Sequence, residues 1–527
     1  MNNPSPSAKV PVAALATAAG AVAVLVVLAL AATRFSVLPW PPSSPGGTAA
    51  TQSSEESGPP AATGDPDQLT VVDPADVVGV EEVSLAYDGG AEVAVAYPAV
   101  QGADPLTEFL ADTLASEVRA FEAANPGARS YTGSWGLTAA AGDVLGVRVT
   151  GTETDSEETR ERRSTYWYET DTGLAHGSTA LIAGQDELAA LNDLVLERVP
   201  DQADGSVIHP ISSLYDSVGF NPAGDLVVEF DDGQVAPVGA GRVHAVVERD
   251  LAEPLLSELG LRARDAATVA ADAFSVPSPP ATAGGGTDTP PPGVLSPVDD
   301  TVDCSDPATK CVALTYDDGP GAGTPALLDT LAEYDARATF FVTGVPVMSH
   351  ATTVRRAYAE GHEMANHTLN HPDLSGLSQQ GARSELDAVQ ALVYRETGYT
   401  MDMMRPPYGA TDEGVTAVTA DMGLSQIIWN VDTYDWRDRD ASLVTQRALS
   451  GASDGAIILM HDIHPTTIAA SRQIISELDA RGFTMVTVTQ LLGPTTPGGL
   501  YTDGIPEAEQ PSETPGTGEQ VDEEAAG

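Results

Sequence analysis

The chain has 527 residues, with 76 Asp and Glu against 25 Lys and Arg and a formal net charge of −51. That charge repels nucleic-acid phosphates and anionic lipid surfaces, so both are poor candidates as electrostatic partners. With 42% hydrophobic residues, the chain has material for two or three packed domains.

Residues 1–11 carry Lys9 and the free amine, and Val12 to Thr33 is an uncharged run of mainly Ala, Val and Leu. At about 1.5 Å per residue the run is long enough to cross a bilayer core. Arg34 follows it, so the positive-inside bias is present but weak. The sequence predicts a single transmembrane helix at 12–33 with a cytoplasmic tail at 1–11. A signal peptide cleaved near Ala29-Leu30-Ala31 is the alternative. The first reading places the bulk of the chain outside the cell on a single-pass anchor, and the second secretes it.

Residues 34–70 are rich in Pro, Ser, Gly and Thr and read as a spacer. A globular pattern runs from 71 to 273. Strand alternation marks Glu92 to Tyr97, Val144 to Thr150, Thr165 to Thr170, Phe220 to Phe230 and Val243 to Val247. Helical spacing marks Pro105 to Ala124, with Leu106, Phe109, Leu110, Leu114 and Val118 on one face, and Glu253 to Leu261. This is an α+β domain. Its Phe220 to Leu259 stretch resembles extracytoplasmic domains of lysozyme-sensing anti-sigma factors and of some peptidoglycan deacetylases, which implies a binding or spacing role. His176, His209 and His244 are isolated there and read as surface or core histidines. Prolines and the Gly284-Gly285-Gly286 run make 274–299 a linker.

From 300 to 492, short apolar strands alternate with amphipathic helices. The strands are Val312–Asp317, Ala338–Thr343, Glu363–Asn366, Met401–Arg405, Gln426–Asn430, Ala456–His461 and Thr484–Val488. Helices are expected at Pro325–Tyr334, Val354–Glu360, Ser378–Thr397, Glu413–Met422, Ser442–Ser450 and Thr466–Arg481. The α/β alternation predicts a distorted (β/α)7 barrel, whose chemistry gathers at the C-terminal ends of the strands. Cys304 and Cys311 close a small loop before the first strand, paired outside the cytosol and free thiols within it. Residues 493–527 are rich in Pro, Gly and acids and read as a disordered tail.

Polar residues cluster at those strand ends. Asp317 and Asp318 end the first strand, and two adjacent acids there are costly unless a cation intervenes. His367 and His371 follow the third strand; four residues apart in a helical turn, they could grip one cation. Two neutral imidazoles and one carboxylate leave coordination positions open, the pattern of a catalytic rather than a structural zinc site. Arg405-Pro406-Pro407-Tyr408-Gly409 ends the fourth strand, Asp432-Thr433-Tyr434-Asp435-Trp436 the fifth, and Leu459-Met460-His461-Asp462 the sixth. Each alone is ambiguous: an acidic turn, a proline-rich loop, a capped helix start or a core histidine would explain it.

Together, TYDDGP, HTLNH, RPPYG, DTYDW and LMHD resemble, in order, the five motifs of the polysaccharide deacetylase family, carbohydrate esterase family 4, also called the NodB homology domain. The resemblance covers about a third of the chain, with Tyr316 in place of the commoner Phe. It implies Asp317 as general base, Arg405 as the residue orienting it, and Asp318, His367 and His371 as metal ligands. It further implies that the Tyr408 backbone N–H meets the oxyanion, that Asp432 tunes the general acid His461, and that Trp436 and Leu459 wall the acetyl pocket. One divalent ion is implied, with zinc suiting the donors and cobalt or nickel also fitting. The expected function is hydrolysis of N-acetyl groups on cell-wall amino sugars, peptidoglycan first. Acetylxylan or chitooligosaccharides are alternative substrates, and a wall-binding or sensing protein with an inactive barrel is the non-enzymatic alternative.

Overall fold

The computed structural model describes residues 64–277, except 126 and 157, and residues 290–504. The anchor expected at 12–33 lies outside them, as do most of the spacer, residues 278–289 of the linker and the tail beyond 504. Among the described residues no helix is long and apolar enough to cross a membrane.

The N-terminal half is α+β, as its pattern predicts. A six-stranded sheet runs in chain order through Val80–Ser84, Glu92–Val100, Ser130–Ala141, Val144–Thr154, Thr159–Glu169 and Leu174–Gly177. All neighbours are antiparallel except Glu92–Val100 and Ser130–Ala141, and the Asp104–Ala124 helix supplies the crossover that a parallel pair needs. Its apolar stripe, Leu106, Leu110, Leu114, Val118 and Phe121, is fully buried. A second sheet of Ser217–Phe220, Leu226–Phe230 and Val243–Val247 is antiparallel throughout. The Phe220–Phe230 stretch is therefore a hairpin; Asn221 Oδ1 accepts from the Ala223 and Asp225 amides to build its turn.

The C-terminal half is a curled parallel half-barrel of nine strands. Its ladder runs Val431–Asp432, Ala456–His461, Lys310–Asp317, Thr339–Val342, Glu363–Asn366, Met403–Met404, Ser425–Ile427 and Leu500–Tyr501, and Phe483–Val486 pairs with the start of Lys310–Asp317. Strand alternation sets what faces inward. Val312, Leu314 and Tyr316 join the large outer core under the helices, while Cys311 and Ala313 join a small inner cluster with Phe341, Ala365, Met403, Ile427 and Ile457. Thr315 and Asp317 continue that inner row.

Most strand and helix ends shift by one to three residues from the sequence reading, and two differences change the sheet itself. The strand expected at Gln426–Asn430 is split: Ser425–Ile427 pairs with Met403–Met404, whereas Val431–Asp432 pairs with Ala456–His461 at the other end of the ladder. One bent segment thus reaches towards both ends of the curled sheet, and Asn430 Oδ1 accepts the Ile457 amide at the bend. The domain also continues past 492, because Leu500–Tyr501 pairs with Ser425–Ile427. The segment expected to be tail contributes this strand because backbone groups at the sheet edge need partners.

The expected linker is likewise built into the fold at both ends. Phe274 bridges to Val77, Gly293 N donates to Gln185 Oε1 (2.7 Å), Leu295 N to the Tyr358 hydroxyl (2.7 Å) and Asp299 N to Gln490 Oε1 (2.6 Å). One apolar cluster contains residues of both halves, among them Trp167, Tyr215, Val312 and Tyr358. The Gln379–Thr397 helix packs against Asp104–Ala124, and the Ser212 and Ser213 hydroxyls donate to the Thr397 and Glu396 carbonyls at its end. Gly398, at φ +74°, terminates that helix where a side chain would collide with Ser212. Arg395 forks onto the buried Glu153 at 2.8 and 2.9 Å. Burial would raise the Glu153 carboxyl, but Arg395 and Arg162 outweigh it and hold it below its ordinary value. Arg395→Ala leaves that carboxylate buried and half-paired, so chemical denaturation of the variant is expected to show a loss of about 3 kcal/mol. A loss under about 1 kcal/mol would contradict a buried role for the pair.

The two cysteines are joined as Cys304–Cys311, closing a loop with a separation of 7 at the entry to the first barrel strand. By loop length alone such a bond is worth about 2–3 kcal/mol.

Candidate active site

Parallel register brings the candidate residues to one level. Asp317 stands opposite His461 on one neighbouring strand and Phe341 on the other, at the C-terminal ends of all three. Arg405 lies 0% exposed in the barrel interior, its guanidinium 4.0 Å from the centre of the Phe341 ring. It donates to Asp317 Oδ1 (2.6 Å), Thr315 Oγ1 (2.9 Å) and the carbonyls of Ile427 and Ile428 (3.1 and 3.0 Å). Every nitrogen of that fork is used, so Asp317 is held in one orientation. Asp317 is only 2% exposed; burial pushes its carboxyl above the ordinary range, while Arg405 and His461 pull it back in part.

Asp318, His367 and His371 converge, and their candidate donor atoms lie within 4.8 Å of one another. Asp318 Oδ1 is 3.6 Å from His367 Nε2 and 3.4 Å from His371 Nε2. Two donors bound tetrahedrally at zinc distances stand roughly 3.4 Å apart, so the spacing fits such an ion. The tautomer fits too. His367 Nδ1 lies 2.7 Å from the Arg405 carbonyl, which can only accept, so Nδ1 carries the proton and Nε2 presents its lone pair to the site.

The two imidazoles do not share a helical turn as their spacing suggested. Residues 367–371 form an irregular loop in which Thr368 (φ 70°) and His371 (φ 56°) are left-handed. Asn366 Oδ1 accepts the Thr368 amide and Thr368 Oγ1 accepts the His371 amide, replacing the helical bonds. Among the described residues, six of the eight non-glycine residues at positive φ (Asp318, Thr368, His371, Tyr408, Tyr434 and Arg439) lie in these strand-end loops. Backbone strain of this kind gathers where side chains must be aimed.

His461 Nδ1 is 2.8 Å from Asp435 Oδ1. Asp435 is 0% exposed and also accepts the His461 amide (2.8 Å) and the Thr467 hydroxyl (2.6 Å). Burial works against a charged imidazole, but Asp435 and Asp317 more than compensate and raise His461 to about 8. The residue paired with His461 is therefore Asp435 and not Asp432. Asp432 instead accepts the Tyr434 amide at 2.6 Å, closing the turn that delivers Asp435. Both acids lie in one pentapeptide; the difference is that Asp435 opens a helical turn, Asp435–Asp438, facing the strand that carries His461.

Of the remaining expected residues, Leu459 is buried on the inner face two positions before His461, and Trp436 is 45% exposed immediately after Asp435. Tyr408 is 71% exposed, is left-handed, and sets its ring edge-on to His371 at 4.7 Å.

The family model for polysaccharide deacetylases matches residues 305–427. The chain is 43% identical over 185 residues to the peptidoglycan-N-acetylglucosamine deacetylase PgdA of Listeria monocytogenes, covering 35% of this chain and 39% of that protein. It is 38% identical over 196 residues to the peptidoglycan-N-acetylmuramic acid deacetylase PdaC of Bacillus subtilis, covering 37% and 41%. The match thus spans about two fifths of the length of these relatives. A chitooligosaccharide deacetylase of Sinorhizobium fredii is matched over 95% of its length, and over 36% of this chain, at 35% identity. The chain belongs to the polysaccharide deacetylase family. Among solved structures, the peptidoglycan deacetylase PdaC of Bacillus subtilis shares 37% identity over 36% of this chain and 91% of that one, with a TM-score of 0.34.

In this family member, the His461–Asp435 pair has a pH signature. An acid catalyst at His461 would have to be protonated, so under that role activity is expected to fall as pH rises through about 8. Asp435→Asn removes the anion that raises His461. The alkaline limb of the kcat profile then moves to lower pH, and kcat at pH 7 falls by about 10²-fold. An unmoved limb in that variant would show that Asp435 does not set the acid. The sign for stability is the same: a folded value raised above the unfolded ~6.5 stabilises the fold below that pH. That contribution is lost as pH rises through about 8.

Proposed function

We propose that the chain is a metal-dependent deacetylase that removes N-acetyl groups from cell-wall amino sugars, with peptidoglycan as the polymer. The observation that carries this reading is the Arg405-clamped Asp317 standing beside the Asp318–His367–His371 cluster and across one ladder step from His461. The names of the Listeria monocytogenes and Bacillus subtilis relatives support the substrate class. The Sinorhizobium fredii relative, matched along nearly its whole length, supports chitooligosaccharide as the second reading.

Asp318, His367 and His371 would hold one divalent ion, zinc by its taste for imidazole, with cobalt or nickel also suited. When bound, such an ion polarises the acetyl carbonyl and acidifies water. Asp317, its carboxyl oriented by Arg405, takes the proton of the attacking water. The Tyr408 amide, on its left-handed turn, donates to the developing oxyanion. His461, kept cationic by Asp435, passes a proton to the departing amine. Leu459 and Trp436 form the apolar walls against the acetyl methyl. Direct attack by water needs no Ser or Cys nucleophile. We further infer that the 12–33 segment anchors the chain in the membrane with the deacetylase domain outside.

Acetate release by the full chain from purified peptidoglycan tests the proposal, run beside chitooligosaccharide and acetylxylan, with and without a chelator. Chelator-sensitive release from peptidoglycan is the expected result. Release from acetylxylan alone would replace the substrate, and no release from any of the three would remove the enzymatic reading.

A further inference from the structure

Around the proposed catalytic face nearly every arginine is matched to an acid. Arg405 holds Asp317, and Arg437 and Arg447 share Asp438 at 2.9 and 2.6 Å. Arg439 is different. It is exposed, and none of the ion pairs among the described residues includes it, in a chain with three times as many acids as bases. The acids nearest in sequence are engaged elsewhere: Asp435 on His461, Asp438 on Arg437 and Arg447, and Asp440 on the Ser442 and Leu443 amides.

Nor is its side chain free to wander. Arg439 Nε donates to the Trp436 carbonyl at 2.7 Å, and Nη1 meets His464 Nδ1. The His464 ring lies nearly parallel to that of His461, 5.8 Å away. The backbone of Arg439 is left-handed (φ 50°), a strained conformation for a residue with a long side chain. A guanidinium fixed through Nε and one Nη1 proton keeps Nη2 and the other Nη1 proton for a partner. That is the end-on fork that suits a carboxylate.

We propose that Arg439 is a specificity-determining residue that binds a carboxylate on the substrate, close to the acetamido group under attack. The inference rests on the deacetylase reading and narrows its substrate. In a muramic-type sugar stripped of its stem peptide, the C3 lactyl ether ends in a free carboxylate and neighbours the C2 acetamido group. A glucosamine-type sugar has only a hydroxyl at C3. The fork selects the acidic sugar.

The test uses the full-length zinc-loaded chain. The substrates are peptide-free glycan strands of alternating N-acetylglucosamine and N-acetylmuramic acid, and the same strands with the lactyl carboxyls methyl-esterified. Wild type should prefer the free acid by about tenfold or more in kcat/KM, the scale of one charge-assisted hydrogen bond, and the preference should shrink with added salt. In Arg439→Gln the acid-to-ester ratio should collapse to near one. Arg439→Lys, which keeps the charge without the fork, should fall between. A wild-type ratio near one overturns the inference. So does a ratio that survives in Arg439→Gln, including the case where both substrates slow equally because Arg439 only braces Trp436 and His464. Acetate release from chitooligosaccharide without any acid preference defeats this inference alone, whereas no release from any glycan defeats the deacetylase reading beneath it.

Discussion

If the proposed deacetylase reading holds, Asp317→Asn is expected to lower kcat by about 10³-fold while the content of bound divalent metal stays at the wild-type value. The size follows from the loss of general-base assistance, which contributes about 10²–10⁴-fold. The selectivity follows from geometry. Asp317 Oδ1 is taken by Arg405, and the group of donors close enough together to hold an ion comprises Asp318, His367 and His371 without Asp317. Asn has nearly the same volume and can still accept from Arg405, so the fold and KM should change little. His371→Ala is the counterpart: the divalent metal should be lost together with activity. Metal analysis beside steady-state kinetics on both variants decides the assignment. Metal lost in Asp317→Asn would make Asp317 a ligand, and activity retained there would remove it as the base.

Arg405→Met should cost about 3–5 kcal/mol in chemical denaturation, because it leaves the Asp317 carboxylate in the barrel interior without its cation. It should also shift the acid limb of the activity profile. Burial raises the Asp317 carboxyl, and Arg405 is the largest influence holding it down. Without Arg405 the carboxyl titrates at higher pH, so the base is lost at a pH where wild type is still active. Arg405→Lys should not rescue, since a single ammonium cannot reach Asp317, Thr315 and two carbonyls at once. A wild-type acid limb in Arg405→Met would mean that Arg405 does not orient or tune Asp317.

Local pattern carried the barrel strands well. Glu363–Asn366 and Ala456–His461 have the bounds the sequence predicts, since a short buried strand between turns writes its own limits. The split of Ser425–Ile427 from Val431–Asp432 left no such trace, because which edge a half-strand joins is decided by partners remote in sequence. The site was legible as residue types at strand ends. Its backbone was not: His367 and His371 converge through left-handed residues braced by Asn366 and Thr368, where spacing alone suggested a helix. Asp432 and Asp435 are equally acidic in sequence, and only the packing of Asp435–Asp438 on the His461 strand separates their roles. The C-terminal part of the Pro/Gly-rich linker was hidden for the opposite reason: a composition that cannot make a core can still be pinned by one built elsewhere.

The apolar cluster shared by the two halves, and the Arg395–Glu153 fork between them, carry a consequence for how the chain comes apart. Neither half can melt without exposing surface that the other buries. The α+β unit and the barrel therefore lose structure as one cooperative block. Damage to the N-terminal half, far from any catalytic residue, is then felt by the deacetylase as a lower fraction of folded molecules.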